Sequence, residues 1–268
     1  WPTAQFGAAD ENPKPSLKIS DIQKLGLLFA RPEVFPFAKT TIEGIENVPQ
    51  SGPVILVANH RSYFDVFAVA MMVAKTGRTV RFLGKKEVFD APVVGQLASL
   101  FGGIRVDRAS GSDEPLEHAV KALQEGEMVA LMPQGTIPRG LAFFDPQLKG
   151  RWGAARLAVA SNATVIPIGL WGTEKVWPRN AKLPDVLNVS NPPLVTIKVG
   201  APVTLNRTGA TNEIIEANTQ AIMNAISALL PPESREDITP TDDQLRATFP
   251  SSYTGDLRAR DERRPGTD

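Results

Sequence analysis

The chain has 268 residues, 42% hydrophobic and 22% charged, which is enough apolar material for a sizeable buried core. Its 29 basic and 29 acidic side chains cancel, so local basic patches aside the balance argues against a polyanion-binding protein, nucleic acid included. The absence of cysteine excludes disulfides, thiol nucleophiles and cysteine metal sites.

In chain order, residues 1–16 are polar and proline-bearing and read as a flexible arm. Leu17, Ile19, Ile22, Leu25, Leu27, Leu28 and Phe29 then fall on roughly one helical face, with Ser20 and Asp21 as an N-cap and Pro32 ending the pattern. "TTIEGI" reads as a strand, and "GPVILVAN" as a β-branched run buried on both faces. A helix over about 65–75 follows, then the strand "TVRFLG", a short helix in "APVVGQLASLFGG" and the strand "GIRV". An amphipathic helix over 114–124 and the strand "EMVALM" come next, followed by a helix in "KGRWGAARLAVASN". "TVIPIGLWG" and "PLVTIKVG" are strands, and "NEIIEANTQAIMNAISALL" is a long amphipathic helix. This alternation predicts an α/β fold, a single domain over 17–231 with a mainly parallel central sheet covered by helices. Residues 232–268 are polar and are expected to form a C-terminal tail. The longest clean apolar run, 66–74, falls short of the roughly 18 residues of a membrane span. The start has neither an initiator methionine nor a signal-peptide core, and reads as a processed or trimmed product or a piece of a longer polypeptide.

Four stretches could carry chemistry. In "VANHRSYFD", one of only two histidines, His60, closes the buried strand, and Asp65 opens the next helix. Ligands bind at the carboxyl ends of parallel strands, and there the aspartate can fix the imidazole's tautomer while the other ring nitrogen serves as a general base. A helix N-capped by Asp65 beside an incidental histidine would give the same pattern. The chain lacks a G-x-S-x-G elbow, an H-E-x-x-H zinc helix and a phosphate loop, so a base without a protein nucleophile points to activation of a substrate hydroxyl. "GGIRVDR" joins two glycines to Arg105 and Arg108, cations able to grip phosphate, although solvated arginines on an edge strand would look alike. "LMPQGTIPRG" breaks a strand into a loop that can present backbone N–H groups and the Arg139 guanidinium to an anion, or is an ordinary turn. Pro167 in "VIPIGLWG" suits a strand end lining a pocket, or core packing.

The order of H-x-x-x-x-D, G-G-x-x-x-x-R, P-x-G-T and V-I-P over about residues 40–205 resembles the four blocks of the glycerolipid acyltransferase family, the PlsC-like 1-acylglycerol-3-phosphate O-acyltransferases. The wording looks most like an actinobacterial-type group whose acyltransferase domain often follows a haloacid-dehalogenase-like domain, which implies attachment to a further N-terminal domain. The resemblance implies that His60 is the general base and Asp65 its orienting partner. Gly103 and Arg105, with Gly135 and Thr136, would hold the phosphate-bearing acceptor, and Arg139 lies just outside the matched block core. Pro167 would serve the acyl-donor side or the structure. One departure is Gln134, where the family usually has glutamate; an amide keeps a hydrogen-bond acceptor but carries no charge.

The implied reaction is acyl transfer from acyl-CoA or an acyl-carrier protein to the free hydroxyl of 1-acylglycerol 3-phosphate, with no metal and no bound cofactor. Both substrates carry fatty chains, so the protein is expected at a membrane surface, peripherally and on the cytoplasmic face. The helix over 17–30 and "APVVGQLASLF" are the expected contacts, with Arg81, Lys85 and Lys86 facing anionic headgroups. Two alternatives stand: an O-acyltransferase for another acceptor, such as glycerol 3-phosphate, another lysophospholipid or a glycolipid, and a catalytically lapsed lipid-binding module.

Overall fold

The computed structural model describes residues 31–85, 103–106 and 114–258. The helices expected over 17–30 and in "APVVGQLASLFGG", together with Lys86 and Arg108, lie outside the described residues.

The sheet is organised around β2 (Val54–Ala58), whose five side chains are at most 1% exposed. Successive residues of a strand face opposite sides. Val54, Leu56 and Ala58 therefore enter one core with helix α1 (Asp65–Ala74), while Ile55 and Val57 enter another. That second core is closed by α2 (Glu114–Gln124), α3 (Gly153–Ser161) and α5 (Asn212–Leu229). Burying each such aliphatic side chain contributes roughly 1.5–3 kcal/mol relative to leaving it in water. The continuous apolar run is thus the mark of a strand covered on both faces.

Around β2 lie β1 (Lys39–Glu43), β3 (Val80–Lys85), β4 (Ile104–Val106), β5 (Met128–Leu131), β6 (Thr164–Trp171) and β7 (Leu194–Val199). The seven strands are ordered β1-β7-β6-β2-β5-β3-β4. Strands β2 to β6 are mutually parallel, whereas β7 is antiparallel to β6 and carries β1 parallel to itself. The expectation of a mainly parallel sheet covered by helices holds. The reversal at β7 follows from the link before it, the short helix α4 (Thr173–Val176) and a loop, which returns the chain without a crossover helix along the sheet. Gly172 makes that reversal possible: its φ is 85°, and a Cβ there would collide with the Leu194 carbonyl.

The carboxyl ends of the five parallel strands share one edge, so the segments after β2, β5 and β6 meet there. Arg81, expected to face headgroups, sits near the opposite edge, level with Val129, and is ion-paired with Glu127 through an Nη2–Oε1 bond of 3.0 Å.

The stretch from Pro232, expected as a polar tail, is in part docked on the domain. Thr241 and Gln244 form a capping box that starts helix α6 (Asp242–Ala247), and Leu245, Thr248 and Phe249 are buried. The Thr248 hydroxyl accepts from the Gly140 N–H at 2.7 Å, tying this segment to the loop after β5. Its apolar side chains are few and spaced among charges, which is why composition alone reads as solvated. Phe249→Ala should lower unfolding stability by about 3 kcal/mol, as deletion of a buried aromatic does. An unchanged urea midpoint would show that the segment does not dock.

Candidate active site

At the end of β2 the chain turns back on itself, and one carboxylate oxygen governs the turn. Asp65 Oδ2 accepts from His60 Nδ1 at 2.7 Å, from the Arg61 N–H at 2.6 Å and from the Ser62 N–H at 2.8 Å. Asp65 is fully buried, and its Oδ1 has no hydrogen-bond partner among the described residues. All three contacts reach back to residues before the helix, so Asp65 orients the turn rather than capping α1, whose N-cap is Phe64. The carboxylate only accepts, so Nδ1 carries the ring proton and Nε2 keeps a lone pair. The imidazole is 19% exposed, open enough to meet a substrate.

The neighbouring loop fixes the histidine's backbone. Pro133 and Gln134 occupy the centre of a turn closed by the Gly135 N–H donating to the Met132 carbonyl at 2.8 Å, with Gly135 at a φ of 71° that favours glycine. From there Gln134 Oε1 accepts from the His60 N–H at 2.6 Å. The bond needs an oxygen acceptor and no charge, so an amide suffices at this position.

Sequence reasoning did not single out four further residues. Asn59, 1% exposed, pairs its amide with both backbone groups of Leu170, at 2.9 and 2.7 Å, extending the β2–β6 ladder by a side chain where the backbone departs. The Ser62 hydroxyl accepts from the Phe64 N–H at 3.0 Å and donates to the Trp177 carbonyl at 2.7 Å. Arg61 is bound by Glu174 at 3.2 and 3.3 Å and rests 4.3 Å from the ring centres of both Phe143 and Trp171. A buried asparagine ending an apolar run was the one available signal, since a buried amide demands partners.

The structure thus brings His60, Asp65 and the Gly135 turn together. Thr136 follows that turn, half-buried, and Arg139 is half-buried with a buried Nε that has no hydrogen-bond partner among the described residues. Arg105 is exposed on β4, three strands from β2 and so about 14 Å across the sheet, with Gly103 just before it. Pro167 is not at a strand end but in the interior of β6, and is buried. It is tolerated because its missing N–H falls where the β6–β7 ladder begins: Gly200 donates to its carbonyl at 2.9 Å, and register pairing starts at Ile168.

Residues 39–171 match the family described as Acyltransferase. Over 168 residues the chain is 30% identical to the chloroplastic 1-acyl-sn-glycerol-3-phosphate acyltransferase LPAT1 of Arabidopsis thaliana, covering 61% of this chain and 44% of that protein. It is 30% identical over 210 residues to a 1-acyl-sn-glycerol-3-phosphate acyltransferase of Chlamydomonas reinhardtii, covering 77% of this chain and 57% of the relative. The fold aligns with the crystal structure of PlsC, the 1-acyl-sn-glycerophosphate acyltransferase of Thermotoga maritima, with a TM-score of 0.54 and 22% identity over 79% of this chain and 81% of that one. Residues 39–171 therefore carry the match to the acyltransferase family, and the relatives this chain resembles are 1-acyl-sn-glycerol-3-phosphate acyltransferases. It spans less than half the length of the Arabidopsis relative, at 44%.

The geometry around Gln134 makes a sharp expectation. Gln134→Glu retains the acceptor and should keep activity within about tenfold, whereas Gln134→Leu strands the His60 N–H, a loss of roughly 1–3 kcal/mol, and should depress kcat much further. Turnover of the two variants side by side checks this; a collapse with glutamate and tolerance of leucine would refute the positioning role.

Proposed function

We propose that this chain transfers a fatty acyl group from a thioester to the free hydroxyl of 1-acylglycerol 3-phosphate, forming phosphatidic acid for phospholipid synthesis. The observation that carries the reading is the His60–Asp65 pair, with Nδ1 committed to the carboxylate and Nε2 left as the base. Names of relatives, 1-acyl-sn-glycerol-3-phosphate acyltransferases, support the choice of acceptor.

In this mechanism Nε2 removes the hydroxyl proton as the oxygen attacks the thioester carbonyl. Asp65 stabilises the imidazolium, and nearby backbone N–H groups hold the tetrahedral oxyanion. Collapse breaks the C–S bond, the new C–O ester bond remains, and His60 returns its proton to the departing thiolate. No acyl-enzyme forms and no prosthetic group takes part; acyl-CoA or an acyl-carrier protein is a co-substrate. Thr136 and Arg139 hold the acceptor phosphate, with Gly135 shaping the turn that presents them, an assignment supported by the unmet Nε donor of Arg139. Arg105, at the far side of the sheet, contributes from a longer reach. The amide at Gln134 is consistent with a working site, because it still supplies an acceptor for the His60 backbone.

The substrates place the protein at a membrane surface. Among the described residues no helix is long and apolar enough to cross a bilayer, which supports peripheral attachment, here assigned to the cytoplasmic face.

Release of free thiol with acyl-CoA and a panel of acceptors tests the chemistry. Lysophosphatidic acid should turn over fastest, and monoacylglycerol, which lacks the phosphate, should fail. His60→Ala should lower turnover by about 10²–10⁴-fold, whereas His118→Ala, on an exposed face of α2, should be nearly silent. Equal loss from both histidines, or preference for an acceptor without phosphate, would refute the assignment. Separately, the protein should sediment with anionic liposomes at low salt, and a chain that stays in the supernatant would count against action at a membrane.

A further inference from the structure

We propose that Arg61 is a positioning residue for His60, acting through a clamp closed by Glu174; the proposal rests on the acyl-transfer reading above. The backbone of Arg61 supplies one of the three donors on Asp65 Oδ2, at 2.6 Å, immediately beside the histidine. Its side chain reaches away from that oxygen. Nε and Nη2 meet the two oxygens of Glu174 at 3.2 and 3.3 Å, a forked pair, while Cζ lies 4.3 Å from the ring centres of Phe143 and of Trp171. One residue thereby joins the turn after β2, the 3₁₀ turn Gly140–Phe143 that follows the Gly135 loop, the end of β6 and helix α4.

The two side chains are only 14% and 19% exposed, so solvent screens the pair less than an open surface pair. Planarity matters as much as charge: a guanidinium can present a fork to a carboxylate and its faces to rings at once, and an ammonium cannot. Glu174 is placed by the Gly172 turn, whose left-handed backbone swings α4 under Arg61. With its fork on Glu174 and two rings against it, the guanidinium is a strut rather than a ligand for the acceptor phosphate. Glu174 lies beyond the 39–171 stretch that matches the family, so this brace reaches past the shared blocks. When the strut is lost, Arg61 is held only by the carboxylate that also orients His60, and the imidazole gains freedom. Misplacement of a reacting group by about 1 Å can cost on the order of 100-fold in rate.

The test uses the full chain labelled with nitrogen-15 at histidine, which has only two such residues. In the wild type the Nδ1–H of His60 should give a downfield, hydrogen-bonded proton signal, with His118 as an internal reference. Arg61→Lys and Glu174→Gln should each weaken or broaden that signal without moving His118. Each should lower kcat by about ten- to a hundredfold while leaving the acceptor KM within about threefold. The double variant should be no worse than the more damaging single one, as expected for one clamp. Unchanged kcat with an intact His60 signal would overturn the proposal, as would a raised acceptor KM alone, which would make Arg61 a ligand. Should Arg61→Lys fail to fold, Glu174→Gln opens the same clamp from its other side. A wild type without turnover on any acceptor would sink the acyl-transfer reading, and the proton signal would still report whether the clamp orients His60.

Discussion

A buried carboxylate must be met by donors or it destabilises the fold by several kcal/mol, and Asp65 meets that demand on a single oxygen. The ring N–H of His60 and the backbone N–H groups of Arg61 and Ser62 converge on Oδ2 within 2.8 Å. Charge-assisted bonds of this kind are worth about 1.5–3 kcal/mol each. To deliver them, the chain must leave the sheet at Asn59 and fold back within a few residues. The same geometry ends β2, starts α1 and selects the histidine's tautomer, so the fold's most demanding electrostatic constraint and its chemistry coincide.

That constraint is shared with two other loops. Gln134 reaches from the turn after β5 to hold the His60 backbone, and Glu174 reaches from beyond β6 to hold the Arg61 side chain. Both partners approach along the carboxyl edge because β5 and β6 flank β2 in the sheet. The requirement at position 134 is an oxygen that accepts, which explains why amide and carboxylate are interchangeable in principle there. The requirement at 61 is the opposite kind: a planar cation that can serve a carboxylate and two rings together.

The strands and most helices were legible because their signals are local. "PVILVA" is apolar without alternation, and α2 and α5 have one apolar face each. His60 and Asp65 stood out because histidine is scarce and the spacing spans one turn. Strand direction was not legible: nothing in "PLVTIKVG" distinguishes a parallel neighbour from an antiparallel one, and only the link through Gly172 decides it. The polar contacts were hidden for a related reason. Asn59, Arg61 and Ser62 find their partners 111, 113 and 115 residues away, so each reads locally as an unremarkable polar residue. The docked segment after Pro232 was the exception, since Thr241 and Gln244 form a recognisable capping box ahead of Leu245, and net polarity masked it.

On the proposed reading, the spacing of the sheet also limits the acceptor. The turn Met132–Gly135 touches the His60 backbone directly, and its parent strand β5 is the immediate neighbour of β2, about 5 Å away. A phosphate held at that turn would sit on the same edge as His60, which would suit an acceptor whose hydroxyl and phosphate are on adjacent carbons of glycerol. Arg105, three strands out, cannot set that distance and would instead meet whatever extends beyond the phosphate. Gln134 ties the proposed cradle to the His60 backbone by one hydrogen bond. Positional selectivity would then follow from the separation between base and anion that this bond helps to set.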